Sequence, residues 1–262
     1  METNIFSFQI GKFQMTAISD GCFHVTKDFF FSNTPDSIIS HIPDEFNAPL
    51  NFLYINTDDK KILVDAGFGE GHKPISGQLL LHLKSKGISP EEIDLVVITH
   101  GHMDHIGGVS FEGKPTFKNA DHVIRKEEWD YWSERSQSEE FKRLETLKNH
   151  LTLIKSNKEI APGIGLIHTP GHTPGHLSLS IVSEGETLLV ASDILNDPAA
   201  LQHLPSHINV ENIPREGLLT RKRFLQDAVD KGALVFACHY PFPGLGHVRS
   251  EKGTWKWSPV TL

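Results

Sequence analysis

Residues 93–99, Ile-Asp-Leu-Val-Val-Ile-Thr, form a short apolar, β-branched run that predicts a strand buried on both faces. Directly behind it the chain reads His100-Gly101-His102-Met103-Asp104-His105-Ile106-Gly107-Gly108. Three imidazoles and one carboxylate crowd into the six residues 100–105, and these are ligand types that borderline divalent metals prefer. His100 and His102 would diverge on a helix but can converge in an extended loop leaving a strand. A turn at Asp104 then aims Asp104 and His105 at a second metal. Gly107-Gly108 lets backbone pack closely behind them.

The remaining pattern predicts the frame. A hairpin is expected from 6–10 and 13–19 around Gly11-Lys12. Residues 28–50, with Phe29-Phe30-Phe31 and prolines at 35, 43 and 49, read as a long loop or short helices. A second hairpin joins 51–56 to 62–65 through Asp58-Asp59-Lys60 and stops at Ala66-Gly67. Leu79, Leu80 and Leu83 predict a helix over 78–86 closed by Gly87. Residues 126–155 read as helical, 164–168, 177–182 and 187–191 as strands, and 216–230 as a helix. A last apolar strand, 234–237, leads to His239, and Trp255 and Trp257 alternate as on an edge strand. This order predicts two packed sheets with helices outside. No repeat or linker interrupts it, so residues 1–262 read as a single domain.

Composition narrows the partners. Of 262 residues, 38% are hydrophobic and 22% charged, as in ordinary soluble globular proteins. A net charge of −8 disfavours nucleic acid, whose binding needs Lys and Arg on phosphates, and argues against anionic membranes. No stretch is apolar for long enough to span a bilayer, and the N-terminus lacks a basic region followed by an apolar run. Two cysteines, Cys22 and Cys238, give no disulfide framework. The expectation is a cytoplasmic protein acting on a small molecule, with pairing into a homodimer left open.

The segment at 100–105 resembles the His-x-His-x-Asp-His motif of the metallo-β-lactamase superfamily. Other elements of that family follow in order. Gly171-His172-Thr173-Pro174-Gly175-His176 looks like its Gly-His-Thr-x-Gly-His segment, Asp193 like its metal-bridging aspartate, and His239 like its last histidine. Asp65-Ala66-Gly67 resembles its early Asp-x-Gly turn, and the likeness spans about residues 14–247. The resemblance implies an α/β chain in the four-layer αβ/βα sandwich, with metals at the sheet edges. It implies two divalent metal ions, zinc first, with manganese, iron or cobalt as alternatives. His100, His102 and His172 would bind one, Asp104, His105 and His239 the other, and Asp193 would bridge them. A hydroxide held between the metals would be the nucleophile, and Asp104 would also shuttle a proton. Asp65 is expected either to accept a hydrogen bond from a ligand histidine or to close a turn. His176 is expected to orient its loop, His168 to end a strand, and Cys238 to pack. His41, His72, His82, His122, His150, His203 and His207 receive no functional role.

Details of the motifs prune the family. Asp193 stands where the antibiotic-destroying branch has a cysteine. The glutathione-binding helical region, the nuclease insertion and the flavin domain of other branches are not seen. The stretch 239–247, His-Tyr-Pro-Phe-Pro-Gly-Leu-Gly-His, is similar to a subgroup of methyl-parathion-type hydrolases and acyl-homoserine lactonases. The smaller lactonases place a tyrosine three residues after the bridging aspartate, where this chain has Asn196. The expectation is a dinuclear metal-dependent hydrolase that cleaves a lactone or activated ester, with Phe29, Phe30, Phe31, Phe46 and Phe242 as candidates for an apolar pocket. The alternatives are a phosphotriester hydrolase on the same site, a mononuclear iron persulfide dioxygenase-like enzyme, and a non-catalytic binding protein.

Overall fold

A computed structural model of the protein describes residues 4–57, 59–69, 75–251 and 253–261. Asp58 of the expected turn and His72 lie outside these residues. The first half of the chain runs β1 (Ile5–Ile10), β2 (Phe13–Thr26), α1 (Lys27–Phe30), α2 (Asp36–Ile39), β3 (Glu45–Asn56), β4 (Lys61–Val64), α3 (Leu79–Ser85), β5 (Leu95–Val97), α4 (Met103–Ile106), β6 (Ser110–Phe111), β7 (Lys114–Pro115), β8 (Asp121–Arg125), α5 (Lys126–Ser133), α6 (Glu139–Glu145) and β9 (Leu151–Ile154). The second half runs β10 (Lys158–Ala161), β11 (Ile164–His168), β12 (Leu177–Ser183), β13 (Glu186–Val190), α7 (Pro214–Asp230), β14 (Leu234–Phe236), β15 (Leu245–Glu251) and β16 (Thr254–Pro259).

Two seven-stranded sheets result, ordered β1-β2-β3-β4-β5-β8-β9 and β10-β11-β12-β13-β14-β15-β16. Strand alternation divides the apolar residues among three layers. Ile62 and Val64 join Leu188 and Val190 between the sheets. Leu63 points the other way, onto Leu79, Leu83, Trp132 and Leu144 of the helical layer. Leu189 and Val235 likewise face Phe224, Leu225 and Ala228 of α7. Each such aliphatic, fully buried, stabilises the fold by roughly 1.5–3 kcal/mol. The layers are therefore helix, sheet, sheet, helix, as expected. Among the described residues no helix is long and apolar enough to cross a membrane.

Two expectations need correction. Residues 126–155 are not helical throughout: Ser138 caps a new helix by accepting from the Phe141 amide, and 151–154 form β9 beside β8. Residues 45–50 are strand, the first half of β3, paired with β2 from Thr26↔Glu45 onward. The prolines hid this segment, because a proline normally argues against a paired strand.

The parallel pairs β4–β5, β5–β8 and β13–β14 set the position of the site. The segments that leave the C-terminal ends of β4, β5, β13 and β14 carry Asp65, residues 99–105, Asp193 and His239 respectively. The loop from β11 to β12 carries His172 to the same rim. Asn51 of β3 fastens the last histidine loop there, since its Nδ2 donates to the Cys238 and Tyr240 carbonyls at 3.0 and 2.7 Å.

Candidate metal centre

The sequence brings together all seven expected ligands. Asp193 is at the centre: its carboxylate oxygens lie 3.1 Å from His105 Nε2, 3.2 Å from His239 Nε2, 3.3 Å from His172 Nε2 and 3.7 Å from His100 Nε2. His102 Nδ1 lies 2.9 Å from His172 Nε2. Asp104 Oδ2 approaches His105 Nε2 at 3.6 Å and His239 Nε2 at 3.7 Å. The donors form two overlapping groups, His100, His102, His172 and Asp193, and His105, Asp193, Cys238 and His239, with ligand atoms within 4.8 Å of one another in each.

An outer ring of hydrogen bonds fixes which nitrogen each imidazole presents. Asp65 accepts the Thr99 N–H on Oδ1 at 2.7 Å, and the Thr99 hydroxyl and His105 Nδ1–H on Oδ2 at 2.7 and 2.8 Å. The Thr99 hydroxyl proton is thus used, so its oxygen accepts from His100 Nδ1 at 3.1 Å. His239 Nδ1–H donates to the Pro49 carbonyl at 3.0 Å. His100, His105 and His239 therefore all turn an Nε2 lone pair inward. Asp65 and Ser192 hold left-handed backbone at φ 60° and 48°, a conformation uncommon for residues other than glycine and often found at functional sites. The turn after Asp65 presses on the histidine segment, and a Cβ on Gly107 or Gly108 would strike the Phe68 or Ala66 carbonyl.

The electrostatics suit cations. Burial alone would raise the Asp193 carboxyl, but His105, His239, His100 and His172 outweigh it and hold it well below the usual range. Burial would lower His105, yet Asp193, Asp104 and Asp65 drive it well above its ordinary value. His100 and His172 are held well below theirs, first by burial. Among the described residues, His100 Nε2 and His105 Nε2, both turned toward the centre, are buried without a hydrogen-bond partner. Such orphaned atoms each cost about 1–3 kcal/mol unless something satisfies them. Divalent ions fit this donor set, in which imidazole nitrogens and carboxylate oxygens converge on one small region.

The remaining expectations fall into place around the centre. His168 ends β11 and contacts the Pro174 carbonyl through Nε2 at 2.9 Å, outside both groups of candidate ligands. His176 Nε2 accepts the Asp193 N–H at 3.2 Å while Nδ1 donates to Thr169 Oγ1 at 2.9 Å, so it orients the central carboxylate. Of the five phenylalanines, Phe30 meets the His239 ring edge-on at 6.0 Å, and Phe46 packs on Phe30 at 5.4 Å. Phe46 also borders a cavity of about 760 Å³ walled by Ile38, Ile42, Pro241, Trp255 and Trp257. Three residues escaped the sequence reading. Phe23 lies 5.4 Å from the His239 ring. Cys238 is more than packing, because its thiol, pushed well up by burial, donates to Asp193 Oδ1 at 3.1 Å. Glu128 is fully buried behind the two histidine loops. None sits in a motif, and only the cysteine's place beside His239 was a signal.

The chain is similar to known proteins in sequence and in fold. The family profile of the metallo-beta-lactamase superfamily matches residues 49–239. An N-acyl homoserine lactonase of Bacillus sp is 31% identical over 158 residues, covering 53% of this chain and 60% of its own. The chain spans about three fifths of the length of such curated relatives, 60–63%. Among solved structures, the dizinc quorum-quenching lactonase AidC, in complex with the product N-hexanoyl-L-homoserine, superposes with a TM-score of 0.91 at 25% identity over 99% of this chain and 98% of that one. The hydrolase AbOPH of the beta lactamase superfamily gives a TM-score of 0.90 at 25% identity over 100% and 99%.

Proposed function

The chain belongs to the metallo-β-lactamase superfamily, and from that premise we propose that it is a dinuclear metal-dependent hydrolase opening a lactone or cleaving an activated ester of a small molecule. The observation that carries this reading is the Asp193 carboxylate set within 3.7 Å of nitrogens of four imidazoles that come from three separate segments. The naming of similar proteins as N-acyl homoserine lactonases supports the substrate class.

His100, His102 and His172 would hold one ion, Asp104, His105 and His239 the other, and Asp193 would serve both. Divalent ions there would supply a nucleophile from water near neutral pH and would polarise the substrate carbonyl. The protein's own part is arrangement and charge. Asp193 and Asp104 offset the repulsion of two dications. Asp65 and Thr99 keep His105 and His100 in the tautomers that face the centre. Asp104 is the more open carboxylate, its side chain 16% exposed against 3% for Asp193. It takes the proton released when water adds to the carbonyl carbon and returns it to the alkoxide as the ester C–O bond breaks. Asn196 is buried and offers no phenolic proton, which leaves Asp104 with this role.

The test combines elemental analysis with kcat/KM for acyl-homoserine lactones, aliphatic lactones, aryl esters, phosphotriesters, thioesters and β-lactams on one zinc-loaded preparation. Two metals per chain and a preference of at least about tenfold for lactones or esters are expected, roughly 1.4 kcal/mol in transition-state binding. One iron per chain with oxygen consumption would replace the reading with a dioxygenase. A preference for any of the other substrates would remove the substrate class and leave the metal centre.

A further inference from the structure

We infer that Glu128 is a positioning residue that clamps the His100–His102 loop to the His172 loop, and so sets the half of the centre built from His100, His102 and His172. The inference rests on the dinuclear reading above.

Glu128 lies on α5 and is fully buried. Oε1 accepts the Gly101 N–H and Trp132 Nε1–H, both at 2.8 Å. Oε2 accepts the Thr173 hydroxyl at 2.7 Å and the Gly175 N–H at 3.0 Å. One carboxylate thus ties the residue between two candidate ligands, Gly101, to the residue beside a third, Thr173. The glycines of both motifs make room for the same helix. A Cβ at Gly175 would strike the Glu128 backbone and Cβ, and one at Gly101 would strike the Trp132 indole. That indole also meets the His102 ring edge-on at 5.8 Å. The close pair His102 Nδ1 and His172 Nε2, 2.9 Å apart, joins the same two loops that Glu128 holds. The centre therefore has two organising carboxylates. Asp65 serves His105 and, through Thr99, His100, whereas Glu128 serves His102 and His172.

Glu128→Gln is the informative change, because it preserves shape while placing an NH2 among donors. On the Oε1 side that NH2 would oppose two N–H groups that cannot turn. On the Oε2 side it meets one N–H and a hydroxyl that can reverse its role. The amide will therefore face Thr173 and Gly175, and the His172 loop will loosen more than the Gly101 loop. Zinc competition with a chelator, amide hydrogen exchange of the metal-free protein and its thermal unfolding should be measured together on wild type, Glu128→Gln and Thr173→Val.

Glu128→Gln should keep one zinc at wild-type affinity and bind the other at least tenfold more weakly. Exchange should speed up at Gly175 and stay unchanged at His105, and Thr173→Val should reproduce a smaller version. Two zinc affinities within twofold of wild type, with unchanged exchange, would overturn the inference. So would a parallel loss of both affinities together with a lowered Tm, which marks mere support of the fold. If wild type binds no zinc, the dinuclear reading fails, while exchange at Gly175 still decides whether Glu128 clamps the loops.

Discussion

Buried imidazoles sit at both ends of the parallel strands β5 and β8, and the protein treats them in opposite ways. At the N-terminal end of β8, His122 is fully buried, and burial together with the charge of His150 pushes it down to about 4. The backbone at Ala120 and His150 and the charge of Asp121 offset this only in part. At the other end, His105 and His239 are equally buried yet raised above their ordinary values, because Asp193 and Asp104 face them, while His100 and His172 beside them stay below theirs, first through burial. Burial alone drives positive charge out, whereas burial among carboxylates draws it in. A region whose field pulls protons onto buried rings is one in which a metal cation is welcome. The His122 end lacks that field, so a histidine count by itself says nothing about metals.

The comparison breaks most visibly at His172. His172→Ala removes a donor aimed at Asp193 and should cost one metal and cut turnover by more than the 10–100-fold typical of groups behind the ligands. His168→Ala, four residues earlier at the end of β11, removes only a contact to a carbonyl. It should keep both metals and stay within about twofold of wild-type turnover. Elemental analysis and steady-state kinetics on the pair decide the matter. Metal loss in His168→Ala with retention in His172→Ala would show that the two histidines have exchanged roles.

Why the candidate ligands were legible and their supports were not follows from how each is encoded. His100 to His105 announce themselves because four metal-binding side chains at short spacing have no common structural use. Asp193 and His239 follow from order and from the apolar strands before them. Glu128 carries no such mark: an acidic residue in Lys126-Glu127-Glu128 reads as the solvated first turn of a helix. Only the tertiary approach of α5 to Gly101 and Gly175 buries it. The β3 extension through Phe46 and Pro49 was hidden for a related reason. Long-range pairing with β2 overrides the local signal of proline. The helix boundary at Ser138 was encoded locally, in a capping serine followed by Glu139 and Glu140, and was readable.

A middle-sized effect is expected behind the ligands. Asp65→Asn keeps the shape of the turn but gives His105 Nδ1 or the Thr99 groups an NH2 to face instead of an acceptor. His105 can answer by moving its proton from Nδ1 to Nε2, the atom that should carry the lone pair. Metal affinity on the His105 side, or turnover, should fall by roughly 10–100-fold. Chelator competition together with histidine NMR checks both parts. Unaltered affinity with the proton still on Nδ1 would show that Asp65 serves the turn alone.

The smallest effect, and the sharpest control, lies at the opposite end of the strands. His122 is lowered in the folded protein from 6.5 to about 4, so between these values the unfolded chain binds the extra proton. Stability must then rise with pH through this window and fall as the medium is acidified from about 6.5 to about 4. The full difference corresponds to roughly 3 to 4 kcal/mol, at 1.36 kcal/mol per unit. His122→Leu removes the titration and fills the site with an apolar side chain of similar size. Relative to wild type, it should lose less stability on acidification over that window, while zinc content and kcat/KM at neutral pH stay unchanged. Urea unfolding of wild type and variant at several pH values from 4 to 7.5 gives the difference directly, and the ligand histidines titrate alike in both and cancel. Parallel pH profiles would mean that burial does not neutralise His122. The contrast between the two ends of the sheet would then rest on something other than the carboxylates that face one of them.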